Sequence, residues 1–335
     1  MEPTKIEIAE LVQRLNQTAN AYRQSILLLT ANRFGLFTYL AGKRASAIQI
    51  AADLGWDGRI AEVFLNALAA MGFLKKAGGA FSNAEISGKL LVKGGPFYQG
   101  DILNHNLNLW ERWSRVDEVL LSGEPLPEPG KRRGGDELRA FINGMANLAA
   151  LTAGLLWEKV DLASRHRLLD VGGGPGVFAL SACQVNPELE AVVFDLPEVE
   201  PIFAEHRKAA EVGRRAKFHA GDFLADPLPA GFDLALLSSI IHSYGEEDNR
   251  ELIGKIHNSL VPGGLLLVKD FYLSEDGTEP LHAAVFALYM HLGTEEGGCY
   301  TRAAVETWLK DAGFEVQEYF LLAEQAGVVA GKKKA

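Results

Sequence analysis

Four residues at alternate positions carry the first chemical suggestion in this chain: Asp170, Gly172, Gly174 and Gly176, within RLLDVGGGPG at 167–176. A glycine-rich turn behind a strand lets backbone approach a ligand closely, and the spacing decides which ligand. A dinucleotide fingerprint needs glycines at its first, third and sixth positions. Counting from Gly172, the third is Gly174, but the sixth is Val177, and the glycine falls one place early at Gly176. The form acid-x-Gly-x-Gly-x-Gly suits S-adenosylmethionine instead. That ligand has no pyrophosphate, but its amino-acid end carries an ammonium that an acid at a strand end helps to bind.

Two further acids agree. Asp195 closes AVVFD, followed by Leu196 in FDLP, where a carboxylate accepts hydrogen bonds from both ribose hydroxyls of an adenosine ligand. Asp222 and Phe223 follow KFHAG, where the acid accepts from the adenine amino group and the ring stacks on the base. Each acid alone is also an ordinary turn former. Three at successive strand ends, on one edge, are hard to assign to turns. Ser238 closes the fourth strand and is counted with the cofactor's neighbours. Just beyond it, in DLALLSSIIHSYGEED, His242 is the candidate for moving a proton, at the edge where an open sheet forms its ligand crevice.

These residues need a sheet to hold them. RLLDV, AVVFD, KFHA, DLALLS and LLLVKD are short apolar runs separated by helix-length segments or turns, which predicts a doubly wound α/β sheet. EVQEYFLL and AGVVAGK, close together near the end, predict an antiparallel hairpin, with GKKKA as a solvated tail. The front of the chain is different. Apolar recurrence over 7–30 predicts a long amphipathic helix, and AIQIAADLGWDGRIAEVFLNALAAMGFLKKAGGAFSNAEIS reads as helix, turn, helix and a wing with two glycines at its tip. Winged helices commonly bind DNA. Here the helix in the recognition position has one basic side chain, Arg59, against Asp57 and Glu62, so a packing or dimerisation module is preferred. Two helical stretches, DILNHNLNLWERWSRVDEVLL and ELRAFINGMANLAALTAGLLWEKV, flank the breaker-rich SGEPLPEPGKRRGGD. The reading is therefore a winged-helix-like dimerisation domain over 1–98, bridging helices over 99–157, and a Rossmann-like domain over 158–335.

Composition narrows the class. The chain has 335 residues and a net charge of −10, which argues against general nucleic-acid binding. Cys183 and Cys299 form no disulfide or metal spacing, and no acid or histidine cluster at ligand spacing surrounds Ser238 and Ser239. No signal-like segment opens the sequence and no apolar run spans a bilayer, so a cytoplasmic location without membrane contact is expected.

The segment from FINGM to GGGPG, followed by FDLPEV, AGDF, IIH and DAGFEV, resembles the plant-type small-molecule O-methyltransferases and their bacterial relatives, such as those acting on caffeate, hydroxyindoles and hydroxyneurosporene. The resemblance covers nearly the whole chain. It implies a class I methyltransferase sheet of seven strands with the last inserted antiparallel, a homodimer, and S-adenosyl-L-homocysteine as product. It also implies that His242 is the general base and that Asp270 orients it. The acceptor pocket it implies includes Met145 and Met290, with Trp110, Trp113, Phe141, Phe286 and His291 as candidate walls for a flat apolar molecule. The chain departs from the family in two places. Ser243 stands where an acid usually follows the histidine, and EEGGCYTR has Cys299 or Tyr300 in place of a second supporting acid unless Glu295 or Glu296 substitutes. N-, C- or S-methylation therefore remains an alternative, and a winged-helix ligand sensor is a more distant one.

Overall fold

The computed structural model describes residues 4–126, 135–322 and 326–334, so most of the breaker-rich stretch lies outside the described residues. The chain divides into two units, Met1–Trp110 and Glu111–Ala335. The division falls inside the stretch read as bridging helices, not at 98 or 157. The reason is local: Asn32 donates through Nδ2 to the Gly100 carbonyl (2.8 Å) and to Asn104 Oδ1 (2.9 Å), tying helix Gly100–Asn108 to the N-terminal helix.

That helix, α1 (Lys5–Arg33), begins at a reciprocal cap in which Glu7 N–H donates to Thr4 Oγ1 and Thr4 N–H to Glu7 Oε2. Its first half leaves Ile6, Ile8, Leu11, Val12 and Leu15 exposed. Ser46 caps α2 (Ala47–Leu54) and Asp57 caps α3 (Gly58–Ala70), each side chain accepting from first-turn N–H groups. Strands Leu74–Ala77 and Ala80–Asn83 form the wing around Gly78 and Gly79. Leu36, Phe37, Ile50, Leu65, Leu68 and Phe81 make the core of this unit. On α3, Glu62 is ion-paired with Lys76 of the wing, while Ile60 and Val63 are exposed.

The stretch 101–121 is not one helix, as the sequence suggested. It breaks into Gly100–Asn108, Trp110–Trp113 and Val116–Ser122. Ser114 Oγ donates to the Glu111 carbonyl (2.7 Å), a local bond that competes with helix continuation.

The second unit contains α4 (Gly135–Lys159), then β1 (Arg167–Val171), α5 (Val177–Val185), β2 (Glu190–Asp195), α6 (Glu200–Ala210), β3 (Ala216–Ala220), β4 (Phe232–Ser238), α7 (Glu246–Ser259), β5 (Leu260–Asp270), α8 (Leu281–Gly293), α9 (Arg302–Asp311), β6 (Phe314–Val316), β7 (Phe320–Leu322) and β8 (Ala326–Lys333). The order is β3-β2-β1-β4-β5-β8-β6, with β7 also paired to β8. β1 to β5 are parallel, so their carboxyl ends share one edge. β8 enters antiparallel beside β5, placing Gly327 opposite Asp270, and β6 and β7 pair in succession along it. The eight segments therefore occupy seven positions, as expected.

Side chains alternate through this sheet with the two-residue strand period. Leu168, Leu234, Leu236 and Leu267 pack with Leu156 and Trp157 of α4 and Phe178 of α5, while Leu169, Ala235, Leu237 and Val268 meet Ile253, Ile256 and Trp308 on the other side. Among the described residues α4 is the one helix long and apolar enough to cross a membrane, yet its Trp157 Nε1 donates to the Phe178 carbonyl in this core (3.1 Å). The expected tail GKKKA is corrected by the structure. Gly331 to Lys333 belong to β8, and Lys333 Nζ donates to the carbonyls of His257 (2.7 Å) and Leu260 (2.8 Å). The end of α7 leaves carbonyls without intrahelical partners, and this lysine satisfies them.

Candidate active site

The turn after β1 is held by the end of β2. Gly172 N–H donates to the Phe194 carbonyl (2.8 Å), and Gly174 N–H donates to Asp195 Oδ2 (2.7 Å). The other oxygen of Asp195 accepts from Leu196 N–H (2.7 Å), so the acid is fixed at the end of β2 against the turn. Burial pushes its carboxyl up, against the lowering effect of those two N–H groups. A carboxylate has about four acceptor positions, so lone pairs remain for hydroxyl donors.

Gly173, which the alternate spacing leaves out, is also a close approach. A Cβ there would stand 2.6 Å from the Asp170 carboxyl carbon. Gly176 opens α5 at φ +77°, where a Cβ would meet the Phe203 ring at 2.8 Å. Left-handed backbone costs a non-glycine residue roughly 1–2 kcal/mol and forced core contact about 1–3 more. Gly176→Ala should therefore destabilise the protein by on the order of 3 kcal/mol in urea unfolding, and an unchanged midpoint would overturn this account of the turn.

Asp170 is 1% exposed, and neither carboxylate oxygen has a hydrogen-bond partner. Burial pushes its carboxyl up to about 7; the Ala179 backbone N–H opposes this and the Asp195 charge adds to it. A buried acid without a partner is costly unless a cationic donor meets it. An ammonium on a ligand lying over the glycine turn meets that need, so the residues present fit the amino-acid end of S-adenosylmethionine.

Asp222 stays in its turn through Oδ1, which accepts from Leu224 N–H (3.0 Å), and its own N–H donates to Asp226 Oδ2 (2.8 Å). The turn-forming role weighed from the sequence is thus real. Phe223 packs edge-on to Tyr244 (5.5 Å between ring centroids), and a Cβ on Gly172 would touch both Phe223 and Ile240. The structure therefore brings Phe223, Ile240 and the glycine turn together. Ser238 is half-buried at the end of β4.

His242 lies in the short turn Ile241–Ser243 beyond β4. Its Nδ1 is 2.8 Å from Asp270 Oδ1, with side-chain exposures of 12% and 1%. A carboxylate only accepts, so Nδ1 carries the proton and Nε2 is left as an acceptor. The same Asp270 oxygen accepts from Phe271 N–H (2.8 Å), and the His242 carbonyl accepts from Gly298 N–H (2.8 Å). Imidazole and carboxylate are held in a fixed geometry from both sides. This arrangement can take a proton from a hydroxyl placed at Nε2.

The loop where a second acid was sought places its residues elsewhere. Tyr300 Oη donates to the Tyr244 carbonyl (2.6 Å), Glu296 lies against Gly245, and Glu295 is exposed. Cys299 lies near Asp270; burial, then the charge of that carboxylate, pushes its thiol up to about 12, which keeps it protonated and unreactive.

Phe286 meets the His242 ring edge-on at 4.9 Å, and Phe271 packs on Phe286 at 4.9 Å. Tyr289 extends this wall, 5.7 Å from Phe286 and stacked at 6.1 Å on Trp113. Met290 is buried on the same helix. The other acceptor candidates have their described contacts elsewhere. Phe141 packs with Ile142, Val199 and Ile202, Met145 is half-buried on α4, and Trp110 closes the first unit against Tyr22. Phe271 and Tyr289 were missed, although Phe271 directly follows Asp270 in sequence. Among the described residues no group of three or more His, Cys, Asp or Glu is placed to hold a metal ion.

Residues 130–315 match the family model described as the O-methyltransferase domain, and residues 16–93 match the O-methyltransferase dimerisation domain. The chain is 34% identical to the 3-hydroxy-5-methyl-1-naphthoate 3-O-methyltransferase of Streptomyces sahachiroi, over 95% of this chain and 94% of that protein. It is 27% identical to the N,N-dimethyltransferase OxyT of Streptomyces rimosus, over 95% of each. A solved O-methyltransferase family protein from Burkholderia thailandensis superposes with a TM-score of 0.86 at 26% identity, covering 97% of this chain and 98% of that one.

Proposed function

The chain belongs to the O-methyltransferase family, and from that premise we propose that it moves a methyl group from S-adenosylmethionine to a hydroxyl of an aromatic or polycyclic small molecule, with His242 as general base. The observation that carries this reading is the His242–Asp270 pair, dry on one side and walled by Phe271 and Phe286 on the other. A phenol of pKa about 10 resists ionisation at pH 7 by roughly 4 kcal/mol. Nε2 of His242 takes that proton as the oxygen attacks, and Asp270 holds the ring in the tautomer that accepts.

S-adenosylmethionine, when bound, supplies a methyl on a positively charged sulfur, open to in-line displacement, and leaves as S-adenosyl-L-homocysteine. Asp170 meets its ammonium, and Asp195 beside Leu196 accepts from the ribose hydroxyls. Gly172, Gly174 and Gly176 let the turn approach it, while Asp222, Phe223 and Ser238 line its adenine and sulfur ends. Phe286, Met290 and the Tyr289–Trp113 stack favour a flat acceptor, with Met145 and Phe141 as further contacts. The exposed apolar residues of α1 and the match to a dimerisation domain support a homodimer. The protein acts in the cytoplasm without a metal, a nucleic acid or a membrane.

A second reading, transfer to nitrogen, carbon or sulfur, draws on the missing second acid and on the N,N-dimethyltransferase relative. A ligand-sensing regulator is less favoured, because α3 presents Ile60 and Val63 and commits Glu62 to Lys76. The deciding experiment incubates the protein with deuteromethyl-labelled cofactor and hydroxynaphthoates, anthracyclinone-like phenols and their amino analogues. The expected product carries the label as a methoxy group by NMR. Label on nitrogen or carbon alone sinks the O-transfer reading, and no transfer with no cofactor-dependent thermal shift sinks the enzyme reading.

A further inference from the structure

Lys269 plays no part in the chemistry above, yet among the described residues it is the one buried cation, 7% exposed. It precedes Asp270 on β5, and strand alternation sends the two side chains to opposite faces. Asp270 goes to His242. Lys269 goes to the α5 side, where its Nζ stands 5.6 Å from the centre of the Phe178 ring. There it donates to Ser239 Oγ (3.1 Å), a neutral acceptor just past the end of β4. An ammonium has three donors, and burying one with a single neutral acceptor costs free energy that sequence change readily removes.

The location suggests what the cation is for. β4 is the strand next to β1, so a side chain from β5 that reaches Ser239 has crossed back toward Asp170. Neighbouring strands are about 4.8 Å apart, and Asp170 is level with Leu236, so the ammonium at Ser239 stands about one strand over from Asp170 and further out along the same carboxyl edge. Phe178, beneath the ammonium, is the second residue of α5, directly behind the glycine turn. An α-amino acid carries an ammonium and a carboxylate on a single carbon. Asp170 answers the first charge, and an acid cannot answer the second.

We propose that Lys269, steadied by Ser239, recognises the carboxylate at the amino-acid end of the cofactor, opposite Asp170. This rests on the S-adenosylmethionine reading of the site and adds a charge-pairing residue to it. Burial holds the Lys269 ammonium below its ordinary range, and an incoming carboxylate restores it. Ser239 is held at φ +58° while its N–H donates to the Lys269 carbonyl (2.8 Å), so backbone and side chain of the two residues are tied together. That double tie keeps the ammonium at the end of β4.

The test uses calorimetric binding of S-adenosylhomocysteine and its decarboxylated analogue, S-adenosyl-3-thiopropylamine, to the full chain. Wild type should prefer the carboxylated ligand by about 10- to 100-fold, the range of a charge-assisted hydrogen bond. K269M and K269Q should bring that preference to within about threefold, leaving the affinity for the analogue nearly unchanged. Equal losses for both ligands would mark a merely structural lysine, and equal affinities in wild type would overturn the inference without any variant. Should the variants not fold, a crystal structure of wild type with S-adenosylhomocysteine decides: Nζ within about 3.2 Å of the carboxylate supports the proposal, and a separation too long for a hydrogen bond overturns it. Binding of neither nucleoside would instead overturn the cofactor reading itself.

Discussion

His242→Ala should lower turnover by about two to four orders of magnitude while the dissociation constant for S-adenosylhomocysteine stays within about twofold of wild type. Cofactor binding survives because the glycine turn, Asp170 and Asp195 take no support from the imidazole. Turnover falls because Nε2 is the acceptor left once Nδ1 donates to Asp270. Asp270→Asn should lose a comparable factor by a different route. The amide oxygen can keep the Phe271 N–H, but the amide no longer stabilises an imidazolium as a carboxylate does. Because the two act as one unit, the double variant should be scarcely slower than His242→Ala alone. Single-turnover rates with a phenolic acceptor measure all three. Near-wild-type turnover for His242→Ala would falsify the general-base assignment, and fully additive losses would mean that Asp270 acts apart from the histidine.

The second large effect runs in opposite directions for stability and binding. Asp170 is buried, unpartnered and shifted up to about 7 from 3.8. An acid whose folded pKa is raised binds more protons folded than unfolded between those values, so stability falls as pH rises through that window. The penalty is absent below about pH 4 and complete above about pH 7, on the order of 4 kcal/mol at 1.36 kcal/mol per unit. Asp170→Asn removes the charge and leaves an unsatisfied amide, which returns part of that gain. The ligand-free variant should be more stable than wild type by on the order of 1–3 kcal/mol at pH 8, with the advantage shrinking toward pH 5. Its cofactor affinity should fall at least tenfold, about 1.4 kcal/mol, through loss of the carboxylate facing the ligand ammonium. Urea unfolding at the two pH values, with calorimetric binding, tests both halves. A pH-independent stability difference, or unchanged affinity, would remove Asp170 from the site.

How much of this was legible in the sequence depended on the range of the interaction. Asp170, Asp195 and His242 were readable because each lies at or just beyond the carboxyl end of an apolar strand, and parallel strands deliver those ends to one edge. The glycine spacing was readable because it is local. Gly173 was not, since its constraint comes from the Asp170 side chain folding back under it. Lys269 carried no signal in the sequence, because its burial follows from α5 packing across the sheet. The stretch 101–121 broke twice, at Leu109 and after Trp113, and a local bond such as that of Ser114 to the Glu111 carbonyl does not show in apolar periodicity. The lysines of GKKKA read as a tail because their charge hid a strand. The carbonyls that Lys333 satisfies lie on α7 and at the start of β5, far away in sequence. The acceptor wall was half seen: Phe286 was named, while Phe271 and Tyr289 depended on how α8 turns its face to β5.

The antiparallel insertion of β8 carries a consequence for how this site comes into being. β6 and β7 precede β8 in the chain yet lie beyond it in the sheet, so the sheet has to keep a slot open beside β5 until the last strand arrives. Until then Asp270, which faces Gly327 in the finished sheet, sits on an unpaired edge open to water and to other chains. The dry carboxylate that sets the tautomer of His242 is thus assembled late in folding, by a non-local pairing of the kind that forms slowly. Chains halted before that step have the glycine turn and the histidine but not the dry pair, and they expose the strand edge most open to aggregation.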